Sequence, residues 1–170
     1  MKLITAVVAA LVLNFGAINS MDAAAPQEKG SNIMATEDFS TVFARGEKND
    51  AYAQYFVGQS YLNMLSLEQV VIGNVTFEPG CRNNWHIHKA AKGGGQILLV
   101  TGGRGYYQEW GKEPRELHPG DVVNIPTGVK HWHGAAPDSW FAHLAIEVPG
   151  EETSNEWCEP VSDEEYNKLK

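Results

Sequence analysis

The chain has 170 residues, 13 Lys and Arg against 21 Asp and Glu, a formal net charge of -8, and 43% hydrophobic residues. That length and apolar content suit one domain with a buried core, plus a leader. The acidic balance, with no cluster of Lys and Arg, excludes a nucleic-acid partner and disfavours an anionic membrane surface, because both require concentrated positive charge.

Residues 1–20 read as a secretory signal, with Lys2 as the positive n-region, an apolar run from Leu3 to Leu13, and small residues at Ala17 and Ser20. The run falls short of the roughly 20 residues that span a bilayer. Cleavage predicts an exported protein, periplasmic or secreted, with no stable membrane association afterwards; an uncleaved anchor is the alternative. Residues 21–50 are polar and read as a linker and N-terminal extension, with a short ordered segment at Phe39 to Phe43. The folded domain is expected over 51–170.

From Tyr52 onward the character changes. Tyr55-Phe56-Val57 and Tyr61 to Leu65 are β-prone runs flanking Gly58, and Val70 to Phe77 is a strand ended by Glu78-Pro79-Gly80. Gly93-Gly94-Gly95 is a loop. Gln96 to Thr101 is an apolar strand that turns at Gly102-Gly103 and returns from Gly105 to Trp110. Glu116 to Asp121 turns into Val122 to Ile125, Lys130 to Gly134 is a short strand, and Trp140 to Val148 is a long one. Asp121 is placed to bond the backbone amides of its turn. Many short strands separated by glycine and proline turns, with no helical periodicity between them, predict an antiparallel sandwich or barrel. At the end, Ser162-x-x-Glu165 forms a capping box and Val161 with Tyr166 a hydrophobic staple, predicting a helix from Asp163 to Leu169 with Trp157 packed just before it. Cys81 and Cys158 have no metal-ligand spacing; they read as core or loop thiols, with pairing in an exported protein as the alternative.

The chemistry concentrates in the histidines. All 6 fall between Gly80 and His143, namely His86, His88, His118, His131, His133 and His143, and four of them make two His-x-His pairs. Residues i and i+2 of a strand share a face, so each pair aims two imidazoles one way. Imidazole is the commonest side-chain ligand for first-row transition metals, and several facing one cavity read as a metal site. His133 reads as a fourth ligand, a donor or, in preference, a wall residue; His118, in a Pro-Gly turn, reads as exposed. Trp85, Trp132 and Tyr106 read as core or cavity wall, and Glu109 and Glu147 as surface or rim residues.

Gly80-x5-His86-x-His88 with Gln96 and Gly102, followed by Gly120-x5-Pro126-x-Gly128-x2-His131, resembles the two motifs of the cupin superfamily. The resemblance implies an all-β double-stranded β-helix, the cupin jelly-roll barrel, with a divalent metal inside. Where that pattern has a glutamate ligand, this chain has Gln96 at the start of a strand. Trp85-His86-x-His88, Gln96 and Lys130-His131-Trp132-His133-Gly134-Ala135-Ala136 are similar to the manganese-dependent cupin hydroxynitrile lyases. That likeness implies His86, His88, Gln96 and His131 as metal ligands and His143 as the acid/base. It implies manganese foremost, with iron, nickel and zinc open, and a small-molecule substrate whose hydroxyl or carbonyl oxygen the metal polarises. From its spacing alone, His143 reads first as a core histidine bonded to backbone, and the likeness brings the acid/base role level with that reading. An iron-dependent cupin dioxygenase and a non-catalytic cupin that binds a small ligand or metal are the alternatives, and the family suggests a homodimer paired through edge strands.

Overall fold

The computed structural model describes residues 39–169. The expected signal at 1–20 and the linker up to residue 38 lie outside the described residues. The strands follow in chain order: β1 Glu47–Lys48, β2 Phe56–Val57, β3 Ser60–Ser66, β4 Ile72–Phe77, β5 Arg82–Asn83, β6 His86–Lys89, β7 Lys92–Gly93 and β8 Gln96–Gly103. Then come β9 Gly105–Glu109, β10 Arg115–Leu117, β11 Val122–Ile125, β12 Lys130–Ala135, β13 Phe141–Glu147, β14 Gly150–Glu151, β15 Ser154–Trp157 and the helix α1 Asp163–Tyr166.

The strands form the expected all-β, antiparallel jelly roll. One sheet runs β1-β3-β4-β13-β8-β11, and the second runs β10-β9-β12-β5-β2 with β6 between β12 and β15. Period-2 alternation decides what faces inward. On β8, Gln96, Leu98 and Val100 are buried while Leu99 is exposed; on β11, Val123 and Ile125 are buried. The main core joins both sheets through Val75, Phe77, Leu98, Val100, Tyr107, Leu117, Ile125 and Phe141.

Both ends of the described segment are packed onto this barrel. Phe39 stacks face to face on Trp140 at 5.5 Å, and β1 pairs with β3, so the packed unit begins upstream of residue 51. At the other end, Trp85, Tyr106, Trp132, Ala136, Val161 and Tyr166 make a second cluster, which settles the three aromatics read as core or wall in favour of core. Arg82 is buried beneath that tail, donating to Val161 O and Asp163 with its guanidinium 4.2 Å over the Tyr166 ring. The Tyr166 hydroxyl donates to Ala135 O at 2.6 Å.

Several elements differ from the sequence reading. The helix is one turn, ending at Tyr166 instead of Leu169. Tyr55 closes a 3-10 helix, Asp50–Tyr55, instead of starting a strand. The glycine loop contains β7, which pairs with β14, and β15 pairs with β6. These strands are two to four residues long, too short for alternation to reveal. Cys81 and Cys158 are both free thiols. Asp121 accepts from the His118 amide at 2.9 Å, as its turn position predicts.

The cap of α1 supplies one expected result. Ser162 Oγ accepts from the Glu165 amide at 3.2 Å and donates to the Glu165 carboxylate at 3.1 Å. Ser162→Ala should lower stability by about 1 kcal/mol, the usual effect of losing an N-cap. Urea unfolding measures it, with the midpoint falling and the slope unchanged; an unmoved midpoint would mean that α1 is held by Tyr166 and Arg82 alone.

Candidate functional site

The register of the sheets brings the histidines together. β6 and β12 pair antiparallel with His86 opposite His131, and their ring centroids are 4.2 Å apart. Alternation then puts His88 two places along β6 and His133 two places along β12 on the same inward face. Gln96 opens β8, directly opposite Glu147 of β13. Gly95, at φ +95°, makes that entry possible, because a Cβ there would stand 2.3 Å from Ile125 O. All of His86, His88, Gln96, His131, His133 and His143 are buried.

Three imidazoles have their tautomers fixed. Nδ1 of His86 lies 2.9 Å from Asn84 O, Nδ1 of His131 lies 2.9 Å from Val129 O, and Nδ1 of His88 lies 3.0 Å from Glu147 Oε2. Carbonyl and carboxylate oxygens only accept, so each Nδ1 carries the proton and each Nε2 keeps a bare lone pair. His88 Nε2, His131 Nε2 and Gln96 Oε1 are buried with no hydrogen-bond partner. Buried acceptors left unpaired are costly, and a bound cation is what such lone pairs can satisfy. A divalent metal therefore fits the residues present.

His133 and His143 are arranged differently. Asn83 Oδ1 accepts from the His133 amide at 2.9 Å, which turns Asn83 Nδ2 onto the ring, 3.1 Å from His133 Nε2. His133 Nδ1 lies 3.1 Å from His143 Nε2. By separation alone, the three histidines whose ring nitrogens lie within 4.8 Å of one another are His86, His131 and His133, a group that could hold a metal. By tautomer, the set is His86, His88 and His131. Burial pushes His131 and His143 down to about 4 and takes His86 and His133 well below the ordinary histidine value.

A cavity of about 560 Å³ opens onto this cluster. His86, His88, Gln96, His133 and Glu147 line its polar end, while Phe56, Leu62, Val75, Ala145 and Trp157 contribute apolar wall. His143 stands behind His133, outside that lining, and His131 lies deep with no exposure.

Three residues of the site were not read from the sequence. Glu147, read as a surface or rim side chain, is partly buried at the cavity, where Oε2 accepts from His88 and Oε1 accepts from Gln96 Nε2 at 2.8 Å, partners that its spacing did not show. Burial alone would raise its carboxyl, but the hydrogen bonds from His88 and Gln96 outweigh that and hold it below its ordinary value. Trp157, expected beside the helix, is carried by β15 to face His86 at 4.8 Å and stacks on Tyr55 at 4.5 Å. Asn83 had no signal beyond its place in a short strand. Glu109, in contrast, is the cross-strand partner of His131 and forms its ion pair with Lys112, and His118 is exposed beside Glu116.

A double-stranded β-helix with histidines converging inside it defines a class, and residues 73–145 match the cupin domain family. The chain belongs to the cupins. It is similar to the (R)-mandelonitrile lyase of Granulicella tundricola, with 47% identity over 95 residues, which is 56% of this chain and 70% of that relative. It is also similar to a cupin-like protein from Thermotoga maritima whose crystal structure superposes with a TM-score of 0.66 at 40% identity, covering 76% of this chain and 97% of that one.

Proposed function

We propose that this chain is a metal-dependent cupin lyase of hydroxynitrile-lyase type, with manganese held by His86, His88, Gln96 and His131. The observation that carries the reading is the set of buried, unpartnered acceptors His88 Nε2, Gln96 Oε1 and His131 Nε2, of which His88 and Gln96 line the cavity. His86 completes it, since its Nδ1 is committed to Asn84. Likeness to the Granulicella (R)-mandelonitrile lyase supports the reaction class. The proposal includes a small-molecule substrate, export directed by residues 1–20, and a homodimer formed through edge strands.

Bound there, the metal would supply Lewis acidity toward a substrate oxygen. The chain's own residues do the rest. A cyanohydrin loses its hydroxyl proton as the C–CN bond breaks; the carbon–oxygen bond becomes a carbonyl, and cyanide leaves with the electron pair and takes up the proton. His133 lines the cavity and can take up that proton once the Asn83 amide gives way at Nε2, while its Nδ1 proton passes to His143 Nε2, 3.1 Å behind. Both rings are neutral at pH 7, because burial depresses them; the same burial makes them weak bases, so proton uptake depends on the alkoxide and cyanide sharing the charge. The apolar wall suits a substrate with a hydrocarbon or aromatic body beside its hydroxyl.

The test is metal analysis of wild type and Gln96→Ala, followed by aldehyde release from mandelonitrile. Near-stoichiometric manganese or iron in wild type, lowered in Gln96→Ala, with aldehyde released, is the expected result. His143→Ala should keep its metal and lose about 10²–10⁴-fold in turnover, the usual scale for an acid/base group. A metal-loaded wild type that cleaves no cyanohydrin would overturn the lyase reading, and a wild type without metal would leave a binding barrel.

A further inference from the structure

Glu147 divides its two oxygens between two of the proposed ligands. Oε2 lies 3.0 Å from His88 Nδ1, and Oε1 lies 2.8 Å from Gln96 Nε2. A carboxylate offers no proton, so each partner must present a donor to it. His88 then keeps its proton on Nδ1 and frees Nε2. Gln96 turns its amide nitrogen toward Glu147 and its oxygen the other way. The two atoms so released, His88 Nε2 and Gln96 Oε1, are two of the buried unpartnered acceptors of the cluster. Without the carboxylate nothing would stop the amide of Gln96 from rotating and offering a cation its NH2, which cannot bind one.

The strand register makes the arrangement local and firm. Glu147 is the cross-strand partner of Gln96, and the Glu147 amide donates to Val71 O at 3.0 Å, so the β13 end that carries it is held from both sides. Charge follows the same line. Three neutral imidazoles and a neutral amide bring no charge to a divalent ion, and the carboxylate bonded to two of them is Glu147.

We propose that Glu147 is a positioning residue of the metal site. It sets the tautomer of His88 and the orientation of the Gln96 amide, and it supplies from one bond further out the negative charge that the four ligands lack. This rests on the reading of His86, His88, Gln96 and His131 as the metal set.

The experiment titrates Mn(II) into metal-free full-length protein by calorimetry, with the Mn(II) EPR spectrum recorded at saturation. The proteins are wild type, Glu147→Gln, Gln96→Glu and the double exchange of both. Glu147→Gln should weaken binding about 10–100-fold, the usual effect of removing such an outer partner, and alter the EPR spectrum. Gln96→Glu alone sets two carboxylates against each other, so one must hold a proton and affinity should not exceed that of wild type. The double exchange restores every donor and acceptor, because the amide at 147 can donate to the carboxylate at 96 and accept from His88. It should bind within about threefold of wild type, as the same charge is returned one position inward. A merely structural role for Glu147 predicts no such rescue. Metal-free thermal unfolding of all four should agree within a few degrees, and a double exchange that folds but stays as weak as Glu147→Gln would overturn the proposal. So would Glu147→Gln binding like wild type. Wild type that binds no Mn(II) would overturn the metal-site reading and this inference with it.

Discussion

His131→Ala should leave the protein folded and empty of metal, with turnover reduced to background. His131 belongs to the candidate set both by tautomer and by proximity, which no other choice but His86 satisfies. It has no exposure, and its Nε2 has no partner in the protein. Removing the ring opens a cavity, which destabilises, but it also removes an unpaired buried nitrogen, which offsets part of that loss. The larger effect is on ligand-linked stability. Metal at a hundredfold excess over its dissociation constant adds about 2.7 kcal/mol to a protein that binds it only when folded. Wild type should therefore melt several degrees higher with Mn(II) than without, and His131→Ala should melt at one temperature in both. His133→Ala separates the two ligand sets: retained metal favours His88 as the third imidazole, and lost metal favours His133. A metal-dependent shift that survives in His131→Ala would place the ion elsewhere.

The metal-free barrel should lose stability steeply as pH falls from about 6.5 to about 4. His131 and His143 are both held down to about 4 by burial, against an unfolded value near 6.5. Between those limits the unfolded chain binds protons that the folded chain refuses, so acid favours unfolding. The stability is fully present above the unfolded value and is lost progressively below it. Each ring contributes about 3 kcal/mol over the window, from about 1.4 kcal/mol per pKa unit, and two such losses rival the whole stability of an ordinary domain. His86 and His133, depressed further, act in the same direction. Glu147, held below its ordinary value, adds a loss in more acid solution still. Bound metal sharpens the dependence, because protons and the ion compete for the same nitrogens. Urea midpoints at intervals from pH 7.5 to 4.5 measure this; a midpoint unchanged to pH 5 would show that the rings are hydrated and not buried.

Much of the site was legible because strands alternate. His86 with His88, and His131 with His133, share faces by spacing alone, and Gln96 stood at a strand start. Glu147 was legible in principle: on β13 it lies four residues past His143, on the same face. What hid it was its partner, since only the pairing of β13 with β8 shows that a carboxylate near the strand end meets Gln96. The same holds for Trp157, whose position depends on β15 adding itself to β6. The placement of His143 behind His133 depends on the register shift between Ala142 and His143, a bulge that no periodicity announces. Local pattern told which face each residue takes; the distance between faces needed the closed barrel.

The tail gives the barrel a schedule. β15 is the strand that flanks β6 on the side away from β12, and Arg82 finds acceptors at Val161 and Asp163. Both follow every histidine of the cluster in the chain. During translation the histidines of β6 emerge long before the strand and helix that enclose them, and Arg82 has no acceptors in the tail until then. Closure of the site thus waits on chain made well after the histidines of β6.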